Sequence, residues 1–107
     1  MLVARERFRM VDHVAARSAV ERELSAMAPA VPDDSWVVLD EDTIEFEWGW
    51  VFFFDSKRHQ RTGDFRDAVA GNAPFFVRRS DGAVISTGTA FPIEHYIREF
   101  ERNGQLT

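Results

Sequence analysis

The sequence predicts an α+β fold, in which a four-stranded antiparallel meander carries an N-terminal and a C-terminal helix packed on one face. Three observations support this prediction. Aromatic residues between positions 47 and 56 alternate onto one side of an extended chain. Apolar residues recur at helical spacing near both ends of the sequence. The tight-turn sequence Ser80-Asp81-Gly82 separates two short apolar stretches, as in a β-hairpin.

Length and composition indicate one folded domain. The chain has 107 residues, of which 45% are hydrophobic and 13% aromatic, which is enough for one core but not for two. We expect a single domain over residues 12–104, preceded by a segment, 1–11, whose structure the sequence leaves open. No apolar run is long enough to span a membrane, and the N-terminus lacks the apolar stretch of a signal peptide. The absence of cysteine excludes disulfides, and we expect a cytoplasmic protein.

The first helix is predicted over about residues 12–28. Asp12 is a favourable N-cap residue, and Pro29 and Pro32 end the helical pattern. The apolar positions that recur near helical spacing are Val14, Ala16, Val20, Leu24 and Met27.

The central segment is predicted as two strands, a short one over 36–39 and a long one over 43–55, joined by a turn at 40–42. One parity of the long strand is predicted to face the helices: Ile44, Phe46, Trp48, Trp50, Phe52 and Phe54. Val51 and Phe53 point the other way, and we expect them to form an exposed apolar patch, suited to an interface or a dimer, if nothing covers them.

The remaining elements follow from turn and capping residues. Residues 56–64 are predicted as a polar loop and 65–70 as one helical turn. The hairpin strands are predicted over 74–79 and 84–89. Pro92 suits the first turn of the last helix, which ends near Asn103. The apolar face of that helix carries Ile93, Tyr96, Ile97 and Phe100.

The sequence lacks the patterns that accompany common enzyme chemistry. There is no nucleophile elbow, no HExxH zinc motif and no phosphate-binding glycine loop. The pairs Asp12-His13 and Glu94-His95 lie on helices, where adjacent side chains point to different faces. We therefore predict a protein that is not an enzyme, with no catalytic residue, no cofactor and no metal. The net charge of −5 argues against a nucleic-acid partner, and the apolar pattern argues against a membrane.

Charge is distributed unevenly along the chain. Residues 33–47 contain seven acidic residues and no Lys or Arg, whereas residues 57–66 contain four basic residues and a single acid. Each charge taken alone is typical of a solvated surface. Together, the acids could also steer a basic partner toward the protein.

Several short motifs, in the same order and at close spacing, make the chain resemble the immunity protein 35 family, small bacterial proteins found beside polymorphic toxins. The resemblance extends over about residues 36–101. Phe54 stands where the family pattern has Tyr, and His59 stands at a more often aromatic position. The matching motifs are Trp36-Val37-Val38, the EWGWVFF run at 47–53, Thr62-Gly63-Asp64, AGNAP at 70–74, Asp81-Gly82, TGTA at 87–90 and Pro92-Ile93-Glu94.

The resemblance implies an α+β domain without assigned catalysis that neutralises a cognate protein toxin by binding it. Such toxins are often papain-like peptidases or related effectors. A second group in the family resembles small stress-related chaperones, so a chaperone-like or dimeric binding module is an alternative. A third hypothesis is a small-molecule site built from Glu47, Trp50, Asn72 and Thr89.

Two sets of residues are predicted to matter. The predicted partner-binding residues are Asp40, Glu41, Asp42, Glu45, Lys57, Arg58 and Arg61. The family-motif residues, predicted to be structural, are Trp36, Glu47, Trp48, Gly49, Trp50, Gly63, Gly71, Asn72, Pro74, Gly82, Gly88, Thr89 and Pro92.

Overall fold

The structure is a computed structural model that describes residues 11–29, 32–63 and 73–103. Within these ranges the chain forms three α-helices, six β-strands and a short 3-10 helix at Asp40–Asp42. The helices are α1 (His13–Ser25), α2 (Lys57–Thr62) and α3 (Ile93–Asn103). The strands are β1 (Trp36–Val38), β2 (Ile44–Phe46), β3 (Gly49–Phe52), β4 (Phe54–Ser56), β5 (Phe75–Arg78) and β6 (Val84–Ser86).

The predicted α+β class is confirmed, but the strands form two antiparallel sheets rather than one. Four strands pair in the order β2-β3-β5-β6, and β1 pairs with β4. The change of sheet occurs at Phe53, because β3 pairs with β5 up to Phe52, whereas β4 pairs with β1 from Phe54 onward. Phe53 itself accepts a backbone hydrogen bond of 2.8 Å from Leu39, which connects it to the smaller sheet.

The single long strand predicted over 43–55 is wrong. The chain turns at Glu47 and Trp48, so that β3 runs back antiparallel to β2 with Phe46 opposite Gly49. A Cβ atom on Gly49 would lie 1.9 Å from the carbonyl oxygen of Val77, so the turn requires a glycine there. The aromatic residues at the even positions from Phe46 to Phe54 continue without a break in the sequence, so the alternation gave no sign of this turn. In the structure the rings of Trp48 and Trp50 lie on opposite faces of the sheet.

The two long helices pack on opposite faces of the four-stranded sheet, and the prediction that they share a face is wrong. Helix α1 contributes Ala16, Val20 and Leu24 to a core cluster with Trp50, Phe52, Phe54, Phe75 and Val77. Helix α3 contributes Phe100 to a second cluster with Val51 and Phe76. Because successive strand residues point to opposite faces, β3 and β5 supply side chains to both clusters.

The apolar patch predicted at Val51 and Phe53 is covered. Val51 is 0% exposed in the cluster beneath α3, and Phe53 is partly buried against the same cluster. The predicted apolar face of α3 is confirmed, since Ile93, Tyr96 and Ile97 also pack there. An interface at this face would first have to displace α3.

Local capping accounts for the boundaries of α1 and α2. Asp12 caps α1 by accepting a 2.8 Å hydrogen bond from Ala15 N–H, as predicted. The loop predicted over 56–64 is wrong, because α2 forms within it. Gly63 ends α2 in the left-handed conformation, with φ of 68°. The helical turn predicted at 65–70 lies outside the described residues. Among the described helices, none has the length and apolar character needed to cross a membrane.

Candidate functional site

The acidic turn, Asp40–Asp42, directly follows β1 and contains three of the predicted partner-binding residues. Asp40 accepts two hydrogen bonds from the Arg17 guanidinium, at 2.7 and 3.0 Å. These bonds hold the pKa of the Asp40 carboxyl below its usual value. Glu41 and Asp42 are exposed, and their carboxylates have no ionic partner in the described chain. The acidic turn therefore presents two free carboxylates beside one that is bound.

Helix α2 begins at a buried polar cluster. Ser56 is its N-cap, with Oγ accepting a 3.1 Å hydrogen bond from the His59 N–H and donating to the Asp34 carboxylate. The other Asp34 oxygen accepts a 3.0 Å hydrogen bond from the Arg58 N–H. The bond from Ser56 is the largest of the effects that lower the pKa of Asp34. Asp34 and Ser56 thus satisfy two of the free amide groups at the start of α2.

The predicted basic residues all belong to α2. Lys57 and Arg61 are exposed, whereas Arg58 is partly buried. The backbone of Lys57 donates a 2.8 Å hydrogen bond to Ser35, which joins the start of α2 to the residue before β1. The helix therefore holds two exposed cations on a short, well-anchored element.

The imidazole of His59 bonds to the Asp55 carboxylate through Nδ1, and Gln60 donates to the same oxygen at 2.7 Å. Burial opposes ionisation of Asp55, but the hydrogen bonds from His59, Gln60 and Ser56 N–H outweigh it and lower the pKa of Asp55. The Ser56 hydroxyl oxygen accepts a hydrogen bond from the His59 backbone N–H, and the hydroxyl donates its own hydrogen to Asp34. The cluster therefore anchors α2 and leaves Ser56 without the imidazole contact that activates a serine nucleophile.

The acidic turn and α2 meet across an open groove of about 380 Å³, to which α2 contributes Gln60. The other lining residues are Val37, Val38, Leu39, Asp40, Glu41 and Asp42. Glu45 lies elsewhere, in β2, where it forms a 2.9 Å ion pair with Arg79. The structure therefore brings the acidic turn close to the helix that carries Lys57, Arg58 and Arg61, and it does not bring Glu45 to this groove.

A second groove, of about 370 Å³, runs between α1 and β1 and was not predicted from the sequence. Its strand wall consists of all three residues of β1, and its helix wall includes Arg17, Glu21 and Leu24. We call it the β1 groove. The short strand prediction at 36–39 located β1, but only the pairing of β1 with β4 reveals that the strand lies at a sheet edge.

Several motif residues lie around the β2–β3 turn. Trp50 is 1% exposed, and the Arg79 guanidinium lies 4.3 Å from the centre of its ring. The same guanidinium donates to the Glu47 carbonyl at 3.0 Å. Trp48 packs against Phe100 with a ring separation of 4.4 Å. Arg79 thus joins the turn to β5.

The other motif residues lie at loops and element ends. Trp36 packs edge-on against Phe54. Pro74 accepts a 3.3 Å backbone hydrogen bond from Thr87. A Cβ atom on Gly88 would lie 2.8 Å from the Tyr96 hydroxyl, so this loop packs closely on α3. Gly82 follows the β5–β6 turn, and Pro92 accepts a 3.0 Å bond from His95 N–H in the first turn of α3. Gly71 and Asn72 lie outside the described residues.

The structure does not bring together the described members of the hypothetical small-molecule site. Glu47 lines a groove beside Trp48 and Arg79, whereas Thr89 lines a separate one beside Phe91 and Tyr96. Trp50 is in the core and lines neither. Asn72, the fourth residue of that hypothesis, lies outside the described residues.

Comparisons with known proteins agree with these motifs. A family model described as Immunity protein 35 matches residues 14–99. The chain is 41% identical over 56 residues to "Uncharacterized protein YrhB" of Escherichia coli (strain K12). That alignment covers 52% of this chain and 60% of the relative, which is less than two thirds of the relative's length. No solved structure matches the chain.

Proposed function

The chain belongs to the immunity protein 35 family, and from this premise we propose that it neutralises a cognate bacterial toxin by direct, stoichiometric binding. Family membership is the observation that carries the proposal. The proposed target is a papain-like peptidase or a related effector, and the proposed site of neutralisation is the cytoplasm. On this proposal the protein acts by covering a functional surface of the toxin and performs no catalysis itself.

We propose that the contact surface is the end of the molecule where the acidic turn meets α2. Glu41 and Asp42 are exposed and free of ionic partners within the described chain, so their charge is available to a basic surface on the toxin. Lys57 and Arg61 are exposed on the neighbouring helix and can pair with acids at the rim of the same interface. Asp40 and Glu45 have a smaller part in this proposal, because Arg17 and Arg79 already bind their carboxylates.

The proposal is tested by co-expressing the tagged protein with the product of the adjacent toxin gene. We expect a one-to-one complex in size-exclusion chromatography and loss of toxin activity at equimolar protein. A toxin that stays fully active in the presence of excess protein would refute the proposal. Suppressed aggregation of unrelated clients, without toxin binding, would support the chaperone-like alternative instead.

The contact surface is tested by charge reversal. The double variant Glu41→Lys, Asp42→Lys should weaken toxin binding by about tenfold or more, and the loss should diminish at high salt. A matched control reverses two exposed acids on other elements, Glu23→Lys in α1 and Glu94→Lys in α3. If both double variants weaken binding equally, the effect reflects net charge alone and the assignment of the acidic turn is wrong.

A further inference from the structure

Strand β1 is one edge of the smaller sheet, and two flanking backbone hydrogen bonds show which of its residues face β4. Leu39 N–H donates to Phe53 and Lys57 N–H donates to Ser35, both at 2.8 Å. In an antiparallel ladder, bonded and non-bonded pairs alternate along the strand. Residues 35, 37 and 39 therefore direct their backbone groups toward β4.

It follows that Trp36 and Val38 direct their backbone N–H and C=O groups away from β4. No backbone or side-chain group in the described chain bonds to them. Both residues are only partly buried. The outer edge of β1 thus offers two donors and two acceptors at the spacing of an extended chain, which is the arrangement that another strand would complete.

The β1 groove provides space beside this edge. It is open to solvent, has a volume of about 370 Å³ and follows all three residues of the strand. Leu24 of α1 and Met27, which lies just beyond the end of that helix, line the groove and could pack against apolar side chains of an incoming strand. An occupant would be an extended segment held by backbone hydrogen bonds, with its side chains alternating between the groove and solvent.

Charge favours a basic occupant and disfavours a second copy of this chain. Acids flank both ends of β1, with Asp33 and Asp34 before it and the acidic turn after it. If two β1 strands paired antiparallel with residue 36 opposite 38, Asp33 of each copy would come near the acidic turn of the other, where Glu41 and Asp42 have no ionic partner in the described chain. Like charges brought together in this way destabilise strand pairing, whereas Lys or Arg in a partner strand would be attracted to both ends.

We propose that β1 is a strand-addition site, which binds an extended basic segment of a protein partner along its outer edge. Where that segment belongs to the toxin, the inference rests on the proposed function and gives its binding mode. The edge can be tested without the toxin, because the proposed contacts require only that the ligand is an extended basic chain.

The probe is a synthetic peptide of about ten residues that alternates lysine and valine, within the length range of ordinary strands. Backbone amide NMR and hydrogen exchange are recorded on the full chain. We expect the peptide to slow exchange of the Trp36 and Val38 amides, which bond to no group of the described chain. A matched peptide with glutamate in place of lysine should bind at least about tenfold more weakly.

Two substitutions at one position separate the backbone contact from side-chain packing. Val38→Pro removes an outward N–H, and proline is tolerated at edge positions whose N–H faces solvent. Val38→Ala shortens the side chain but keeps the N–H. Binding of the lysine peptide should weaken about tenfold in Val38→Pro and less than about threefold in Val38→Ala.

The proposal is overturned if the peptide leaves the Trp36 and Val38 amides unprotected, or if both Val38 variants bind alike. Protection that rises with protein concentration in the absence of peptide would show that a second copy occupies the edge, which also overturns it. If the toxin binds while these amides stay open, strand addition fails and the immunity function stands. If the peptide protects the Trp36 and Val38 amides but the toxin does not bind, the strand-addition site is supported and the proposed function is refuted.

Discussion

At the scale of single residues, Gly49 has the strictest requirement. Its φ is 151°, and an added Cβ would lie 1.9 Å from the Val77 carbonyl oxygen, which belongs to the backbone and cannot rotate away. We expect Gly49→Ala to lower the free energy of unfolding by at least about 3 kcal/mol, because backbone strain and a steric clash add together. Urea denaturation of the purified variant measures this loss.

Gly63 provides the matched control, since it also has a positive φ, of 68°, but has open space around its Cβ direction. Gly63→Ala should cost only about 1 kcal/mol, the usual penalty for a left-handed alanine at a helix end. Equal losses of unfolding free energy in the two glycine variants would contradict the role of the Val77 carbonyl. They would indicate that the positive φ alone determines the cost of adding a Cβ atom.

Asp81 should give the protein a measurable acid sensitivity. Arg78 donates to its carboxylate at 2.9 and 2.6 Å and lowers the pKa of Asp81 to about 2. The unfolded value is about 3.9, so this pair stabilises the fold fully above pH of about 4 and ceases to do so as the pH falls through about 2. The side chain is 50% exposed, so solvent screening limits the contribution to about 1 kcal/mol or less.

Comparing Asp81→Asn with the natural protein isolates this contribution. The variant should be less stable near pH 6, and its deficit should shrink between pH of about 4 and 2, where the native carboxylate takes up its proton. Unfolding midpoints in urea at several pH values measure the deficit. If the deficit is the same at every pH, the Arg78 pair does not control the titration of Asp81.

At the scale of elements, α2 depends on its cap because six residues are too few to form a stable helix alone. Ser56→Ala removes the cap from His59 N–H and leaves Asp34 without its hydroxyl partner. We expect a loss of about 1–3 kcal/mol, which combines a lost cap with a lost bond to a charged group. Thermal or urea unfolding measures it. The side chain of Ser35 makes no hydrogen bond in the described chain, so Ser35→Ala should change stability by less than about 0.5 kcal/mol.

The contrast between α1 and α2 explains how much of the fold could be predicted. Asp12 caps α1 from three residues away, so the sequence pattern alone located that helix. The cap of α2 includes Asp34, which lies 24 residues before the Arg58 amide it accepts from. A local sequence pattern cannot predict such a distant hydrogen bond, so the polar residues Lys57–Thr62 were predicted as a loop. The turn at Glu47 and Trp48 was missed for a similar reason, because the Val77 carbonyl that makes Gly49 necessary is distant in sequence.

The sequence located the charged residues of the candidate site but not the contacts that these residues make, because those contacts join residues distant in sequence. Composition alone identified the acidic stretch, and Glu41 and Asp42 are indeed exposed. Composition could not show that Arg17 of α1 already binds Asp40, or that Arg79, the residue after β5, already binds Glu45. Nor could it show that β1 is an edge strand, since strand order is a property of the whole fold. Only the folded chain separates free charges from those that hold elements together.

At the scale of the whole molecule, the two core clusters should unfold together. Val51 belongs to the cluster under α3, while its neighbours Trp50 and Phe52 belong to the cluster under α1. The same alternation occurs in β5, where Phe76 lies between Phe75 and Val77. Losing one cluster therefore removes support from strands that the other cluster needs.

This coupling can be tested with one truncation in each cluster. Phe100 is 2% exposed and Leu24 is 4% exposed. Phe100→Ala should cost about 3–5 kcal/mol and Leu24→Ala about 2–5 kcal/mol, a large share of the roughly 5–15 kcal/mol typical of a domain. In both variants tryptophan fluorescence and far-UV circular dichroism should report one coincident transition in urea. Tryptophan supplies a suitable probe because Trp48 packs in the α3 cluster and Trp50 in the α1 cluster.

Separate transitions in Phe100→Ala would mean that α3 can detach while α1 and the sheet stay folded. Val51 and Phe53 would then become accessible, and the apolar surface required by a chaperone-like activity would exist after all.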